Sequence, residues 1–297
     1  MQRRAILIAN PKTGRYSARR PAQLESMADF LRARDVAVEI VSTKGPGDAT
    51  NIAARAAGEG FSEVLVSGGD GTINEALQGL VGSKVRLGIL PRGTGNVLAR
   101  ELGLPLKAKD AATVIVRGHT RRVHLGCAID ETTGARRYFF LMAGIGLDAS
   151  VVAHVRPSLK KRIGRAALWY AGLGHLGHWQ PIPFQVEINE ATYSATFVTI
   201  GKAASYGSDL SITPRARIDQ PEFEICIVDS HSRLRFLRLL SHAMRGGMRS
   251  GEQGIRFLRA TRARAFGDAA VQADGDLIGK LPMSFEIAPE SIEVIVP

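Results

Sequence analysis

The sequence predicts an α/β protein in two parts. Residues 1–118 read as a doubly wound, Rossmann-like domain. Residues 119–297 read as a β-rich, antiparallel, sandwich-like second domain, with the last strand, near 291–297, free to return to the first. Three observations carry this. Strand-like apolar runs and helix-patterned stretches alternate four times before residue 118, the mark of a parallel sheet. Two of those strands run directly into glycine-rich turns. Beyond 118, strand-like runs follow one another without regular helices between them, as in antiparallel domains.

Residues 5–9 form the first apolar run, closed by the turn-rich Asn10-Pro11-Lys12-Thr13-Gly14. Leu24, Met27, Ala28 and Leu31 mark a helix face, and 36–41 a second strand. Gly45-Pro46-Gly47 precedes a small-residue helix over 49–57. Val64-Leu65-Val66 is the third strand, and Ile73, Ala76, Leu77 and Leu80 carry the spacing of the helix after it. Residues 85–90 make the fourth strand, ending at Pro91. In the second half the strand-like runs are 123–129, 138–142, 184–188, 195–200, 223–228, 270–273, 285–288 and 292–296, interrupted by helical stretches near 158–173 and 232–245. There is no internal repeat.

The chemistry concentrates at strand ends. Ser67-Gly68-Gly69-Asp70-Gly71-Thr72-Ile73-Asn74-Glu75 joins the third strand to its helix. Glycines there let the backbone approach a ligand closely, and free amides at a helix start favour an anion. An acid such as Asp70 beside phosphate calls for a divalent cation or a proton, which is a phosphoryl-transfer arrangement. The plainer reading is a tight αβ turn with Asp70 and Thr72 as caps. Pro91-Arg92-Gly93-Thr94-Gly95-Asn96 repeats the same logic one strand later. Ligands of such sheets sit beyond the carboxyl ends of the strands, so residues 10–14, Thr43, 68–72 and 91–96 are expected to converge.

Bulk properties narrow the partners. The net charge is +11 over 297 residues, which favours anionic partners. Cys127 and Cys226 form no Cys-x-x-Cys pair, so neither a disulfide framework nor a zinc site is expected. No signal peptide and no membrane-spanning apolar run is visible, so the expectation is a cytoplasmic protein whose membrane contact is peripheral. Arg156, Lys160, Lys161, Arg162 and Arg165 precede Leu168-Trp169-Tyr170 and Trp179, a combination suited to an anionic membrane surface or to a solvated helix. Nine arginines and one acid, Glu252, lie between 233 and 264, several spaced with Leu234, Leu237 and Met244 for an amphipathic helix. No nucleic-acid recognition motif accompanies them, so no nucleic-acid partner is expected. A homodimer is left open.

Other patterns are set aside. There is no Walker-type loop. Gly144-Ile145-Gly146-Leu147-Asp148-Ala149 and Gly172-Leu173-Gly174-His175-Leu176-Gly177 lack the βαβ context of dinucleotide sites. His175 and His178 have no carboxylate or thiolate near them to complete a metal site. Asp274-Gly275-Asp276 reads as a hairpin turn, yet it places two acids where a phosphoryl-transfer site could hold Mg²⁺ or accept a hydroxyl proton.

Taken in order, residues 10–14, 68–75, 91–96, Gly144-x-Gly146-x-Asp148-Ala149, Pro214-x-Ala216-x-x-Asp219 and 274–276 resemble the successive motifs of the diacylglycerol kinase catalytic family, which includes bacterial soluble lipid kinases and sphingosine kinases. The resemblance covers nearly the whole chain. It implies an ATP- and Mg²⁺-dependent kinase acting on a membrane lipid hydroxyl. Asn10, Thr43, Gly69, Asp70, Gly71, Thr72, Ile73, Asn74, Glu75 and Thr94 would match nucleotide-contacting positions. Asp70 would position Mg²⁺ or the acceptor hydroxyl, and Asp276 or its neighbour Asp274 would take the proton. Asp219 with the carbonyls of Ala216 and Pro221 would match a structural Mg²⁺ site, and Asp148 an acid near the lipid head group. Diacylglycerol kinases of this group usually carry Asp after the Asn of Gly-Thr-x-Asn; here Val97 stands there, an apolar residue as in sphingosine kinases. The alternatives are an NAD kinase, which shares Gly-Gly-Asp-Gly-Thr, and a lipid- or nucleotide-binding regulatory protein.

Overall fold

The computed structural model describes residues 3–13, 20–147, 149–150, 181–204, 211–232, 234–236, 238, 241 and 254–297. They fall into two compact units, one of Met1–Val123 with Glu290–Pro297 and one of His124–Pro289.

The first unit is built on parallel strands β1 (Arg3–Ala9), β2 (Val36–Ser42), β3 (Glu63–Gly68) and β4 (Arg86–Pro91), in the order β2-β1-β3-β4. Residues 5–9 of β1 and all of β3 are buried, as a sheet covered on both faces requires. The helices are α1 (Arg20–Arg32), α2 (Asp48–Gly58), α3 (Asp70–Leu80), α4 (Val97–Glu101) and α5 (Ala108–Arg117). Ile73, Ala76, Leu77 and Leu80 bury one face of α3, each large side chain contributing roughly 1.5–3 kcal/mol. Where α2 crosses α3 the backbones nearly touch: a Cβ on Gly79 would lie 2.2 Å from the Thr50 carbonyl oxygen.

The two ends of this sheet have different uses. At the amino ends, the fully buried Glu63 carboxylate is held by the Arg3 and Arg86 guanidiniums, and Arg3 also reaches the carbonyls of Ile115 and Val116 at the end of α5. At the carboxyl ends the ladder runs past the strands. The Asn10 amide donates to Ser67 O at 3.2 Å, Thr43 N to Ala9 O at 2.9 Å, and Arg92 N to Gly68 O at 2.9 Å. These bonds hold three of the chemistry-bearing turns level with one another.

The second unit has a six-stranded antiparallel sheet ordered β12-β11-β10-β7-β14-β15. Its strands are β7 (Met142–Gly146), β10 (Phe197–Gly201), β11 (Phe223–Val228), β12 (Ile255–Ala260), β14 (Ala270–Ala273) and β15 (Asp276–Lys280). A second group comprises β5 (Thr120–Asp130) with β6 (Arg136–Phe139), the hairpin β8 (Phe184–Ile188) and β9 (Ala191–Ala195), β13 (Arg262–Phe266) and the start of β16 (Met283–Ile295). Residues of both groups share one apolar core, with Phe139, Phe184, Phe223 and Phe285 among its largest members. Phe139 stacks on Phe223 at 6.0 Å between centroids. The far end of β16 pairs in parallel with β4, Val294 opposite Leu87.

Of the arginines between 233 and 264, Arg256, Arg259, Arg262 and Arg264 lie beyond the helical stretch expected over 232–245 and stand on β12 and β13. Arg262 and Arg264 alternate with buried alanines on β13, and Arg259 and Arg264 meet Glu222 and Glu131 at 2.6 and 2.8 Å. The helical stretch expected over 158–173 lies outside the described residues; of 232–245, residues 234–236, 238 and 241 are helical. Among the described residues no helix is long and apolar enough to cross a membrane.

Candidate active site

The turn between β3 and α3 is glycine-rich for three separate reasons. A Cβ on Gly68 would lie 2.8 Å from Thr72 Cβ, so the helix start leaves it no room. Gly69, the extended N-cap of α3, faces Gly93 of the next turn: a Cβ on Gly93 would come within 2.6 Å of Gly69 Cα and 2.9 Å of Asn96 Oδ1. The two turns thus meet backbone to backbone. Gly71 is different. It is exposed, its φ is not positive, and nothing lies within 4 Å of the position its Cβ would take. Neither sterics nor conformation requires glycine at 71, and the space beside it at the α3 start is open. Gly69, as N-cap, brings no side-chain cap to α3, which leaves an N-terminus suited to phosphate.

Asp70 links the two turns. Its Oδ1 accepts the Leu98 amide at 3.1 Å and so caps α4, whose own N-cap, Asn96, sits in the left-handed region at φ 48° with no side-chain cap bond. Its Oδ2 has no hydrogen-bond partner among the described residues and faces Gly95, where a Cβ would lie 3.4 Å away. Asn96 bonds Gly93 in both directions, at 2.7 and 2.9 Å. Val97 is buried at the first position of α4, so the one acid here comes from Asp70.

The remaining nucleotide candidates divide. Asn10 Nδ2 donates to Thr72 Oγ1 at 2.8 Å and Asn10 Oδ1 accepts the Lys12 amide at 2.9 Å, tying the first turn to the α3 start. Thr94 is exposed at the tip of its turn, and Thr43 is buried at the end of β2. Glu75 accepts the Gly47 amide at 3.2 Å, bracing the loop before α2. Ile73 and Asn74 face inward, 1% and 2% exposed, with Asn74 Oδ1 accepting from Gln78 at 3.3 Å. Their side chains belong to the core, which leaves the main chain as what these two positions can offer a ligand. Ser67 Oγ, buried near the end of β3, has no hydrogen-bond partner among the described residues.

In the second unit the two acids of the β14–β15 turn have separate fates. Asp274, at φ 47°, accepts the amides of Phe140, Leu141 and Met142 at 2.8, 2.9 and 3.1 Å. Three main-chain donors make it the anchor of the turn, and of the two candidate proton acceptors Asp276 is the less engaged. Asp276 opens β15 with a side chain 48% exposed and one ion pair, to Arg137 Nη2 at 3.1 Å. Arg137 was unforeseen; no sequence signal marks it. Asp148, the basic segment around 156–165 with its aromatics, and His175 and His178 lie outside the described residues.

The set Asp219, Ala216 and Pro221 does not fit a metal ion. Both Asp219 oxygens take the Arg217 guanidinium, at 3.1 Å each. The carbonyls interleaved with the expected ones, those of Arg217, Gln220 and Glu222, accept the Nζ of Lys202. Burial pushes the Lys202 ammonium down to about 8, against the pull of the Asp219 and Glu222 carboxylates. Among the described residues no group of three or more His, Cys, Asp or Glu could hold a metal.

Known proteins resemble this one along its whole length. The diacylglycerol kinase catalytic domain family matches residues 4–128, and the YegS C-terminal NAD kinase beta sandwich-like domain family matches 142–296. A diacylglycerol kinase of Mycobacterium tuberculosis is 32% identical over 300 residues, covering 98% of this chain and 94% of the relative. One from Staphylococcus saprophyticus is 28% identical, covering 100% and 96%. The crystal structure of a diacylglycerol kinase from Bacillus anthracis shares the fold, with a TM-score of 0.74 at 23% identity over 99% and 97% of the two chains.

Proposed function

The chain belongs to the diacylglycerol kinase family of lipid kinases, and from that premise we propose that it transfers the γ-phosphate of ATP to a hydroxyl of a diacylglycerol-class lipid at the cytoplasmic membrane face. The observation that carries the reading is the fused pair of glycine turns: Gly69 against Gly93, an α3 N-cap that brings no side-chain cap, and open space at Gly71. These amides bind the phosphates, and Asn10, Thr72 and Thr94 border them. Asp70 Oδ2 is the carboxylate oxygen available to Mg²⁺ carried in with the nucleotide, which would neutralise developing phosphate charge. Asp276 takes the proton from the lipid hydroxyl as its oxygen bonds to the γ-phosphorus, and the β–γ bond breaks with its electron pair leaving on ADP.

The test is transfer of labelled phosphate from ATP into a panel of diacylglycerol, monoacylglycerol, sphingosine and ceramide in mixed micelles, with NAD as a further acceptor. Diacylglycerol is expected to be labelled. Asp276→Asn should lower turnover by about 10²-fold or more without a change in melting temperature, and Asp70→Asn by a similar order. Label in NAD alone would sink the lipid reading, and near-normal turnover in Asp276→Asn would remove that residue from the chemistry.

A further inference from the structure

The segment over 211–224, which follows β10 and enters β11, is latched to its surroundings at several points. Thr213 Oγ1 donates to Ala203 O at 3.0 Å, Arg215 N donates to Glu224 Oε2 at 2.6 Å, and His124 N donates to Ile218 O at 3.1 Å. Gly201, at the end of β10, leaves no gap: a Cβ there would lie 2.1 Å from Thr213 Oγ1. Into the middle of this loop runs Lys202, the next residue along, with no exposed surface. A lysine ammonium has three donors and no acceptor. Here three carbonyls receive them: Arg217 at 3.3 Å, Gln220 closer, and Glu222 at 3.4 Å.

This is a cation site already filled by the chain itself. A bound Mg²⁺ demands near-octahedral oxygens at about 2.1 Å and carboxylate charge to offset its own. The nearby carboxylates are already engaged: Arg217 holds both oxygens of Asp219, Arg259 pairs with Glu222, and Glu224 accepts the Arg215 amide. An ammonium needs only three acceptors and one compensating charge, and its tether to β10 removes the entropy cost of capturing a free ion. We propose that the Lys202 ammonium is the built-in cation of the 211–224 loop, so that the second unit sets this loop without a divalent metal where the resemblance implies Mg²⁺.

The test uses nucleotide-free full-length chain, stripped with EDTA and melted with and without millimolar Mg²⁺, Mn²⁺ or Ca²⁺, beside Asp219→Asn treated identically. A site filled to a hundred times its Kd would raise the midpoint by roughly 5–10 °C. The expected metal-dependent shift of the native chain minus that of Asp219→Asn is near zero. A rise of several degrees that Asp219→Asn abolishes overturns the proposal. Lys202→Met is expected to lower the midpoint by several degrees and to speed tryptic cleavage after Arg215 or Arg217; no change in either also overturns it. Should Lys202→Met fail to fold, the native-chain metal comparison still decides.

Discussion

At the scale of single residues, the glycines of one turn carry different burdens. Gly68 and Gly93 are fixed by what a Cβ would strike, whereas Gly71 strikes nothing. Gly71→Ala should therefore raise stability to unfolding by about 0.5–1 kcal/mol, because alanine restricts the unfolded chain and favours helix. The same methyl enters the space proposed for phosphate, so ATP affinity should fall by about tenfold or more. Denaturant unfolding and nucleotide binding on one preparation check both signs. A variant that is stabler and still binds ATP normally would move the phosphates away from the α3 start. The acids divide in the same manner: Asp274 is consumed by three amides, while Asp276 stands half in solvent.

At the scale of elements, the position of α3 depends on α2. The helices meet at Gly79, where a Cβ would lie 2.2 Å from Thr50 O and 2.8 Å from Ala54 N. Thr50 Oγ1 also donates to Glu75 O at 2.8 Å, so α2 grips α3 at both ends of the contact. Neither backbone can give locally without breaking helix bonds. Gly79→Ala should cost about 1–3 kcal/mol as overpacking and raise the KM for ATP, since the phosphate-facing amides ride on the displaced helix. Urea unfolding and steady-state kinetics measure the two effects. A loss of stability with unchanged KM would show that the α3 start is held by the Gly69–Gly93 contact alone.

At the scale of the whole molecule, each unit closes its own core. Cys127 and Cys226 both belong to the second, and both are fully buried. Burial, with the Glu224 carboxylate adding to it, raises the Cys226 thiol far above its ordinary range, and the thiol must ionise before it reacts. The native chain should therefore resist a thiol reagent at mildly alkaline pH, and denaturant should release two reactive thiols in one transition. Labelling of the native protein at the rate of free cysteine would contradict a closed second core.

The alternation of strands and helices, the change to antiparallel strands in the second half and the glycine turns at the strand ends were legible in the chain, because each depends on neighbours a few positions apart. Apolar runs bury, glycines turn, and periodicity declares which face is inward. The roles of the polar groups were not legible in this way. Asp274 meets its partner amides across 132–134 residues, Asp70 caps a helix 28 residues on, and Lys202 reaches carbonyls 15–20 residues away. An Asp-Gly-Asp turn reads the same whether its first acid is an anchor or a base. Which carboxylate is spent and which is left for chemistry is decided by the donors that folding brings to it, and those come from distant parts of the chain.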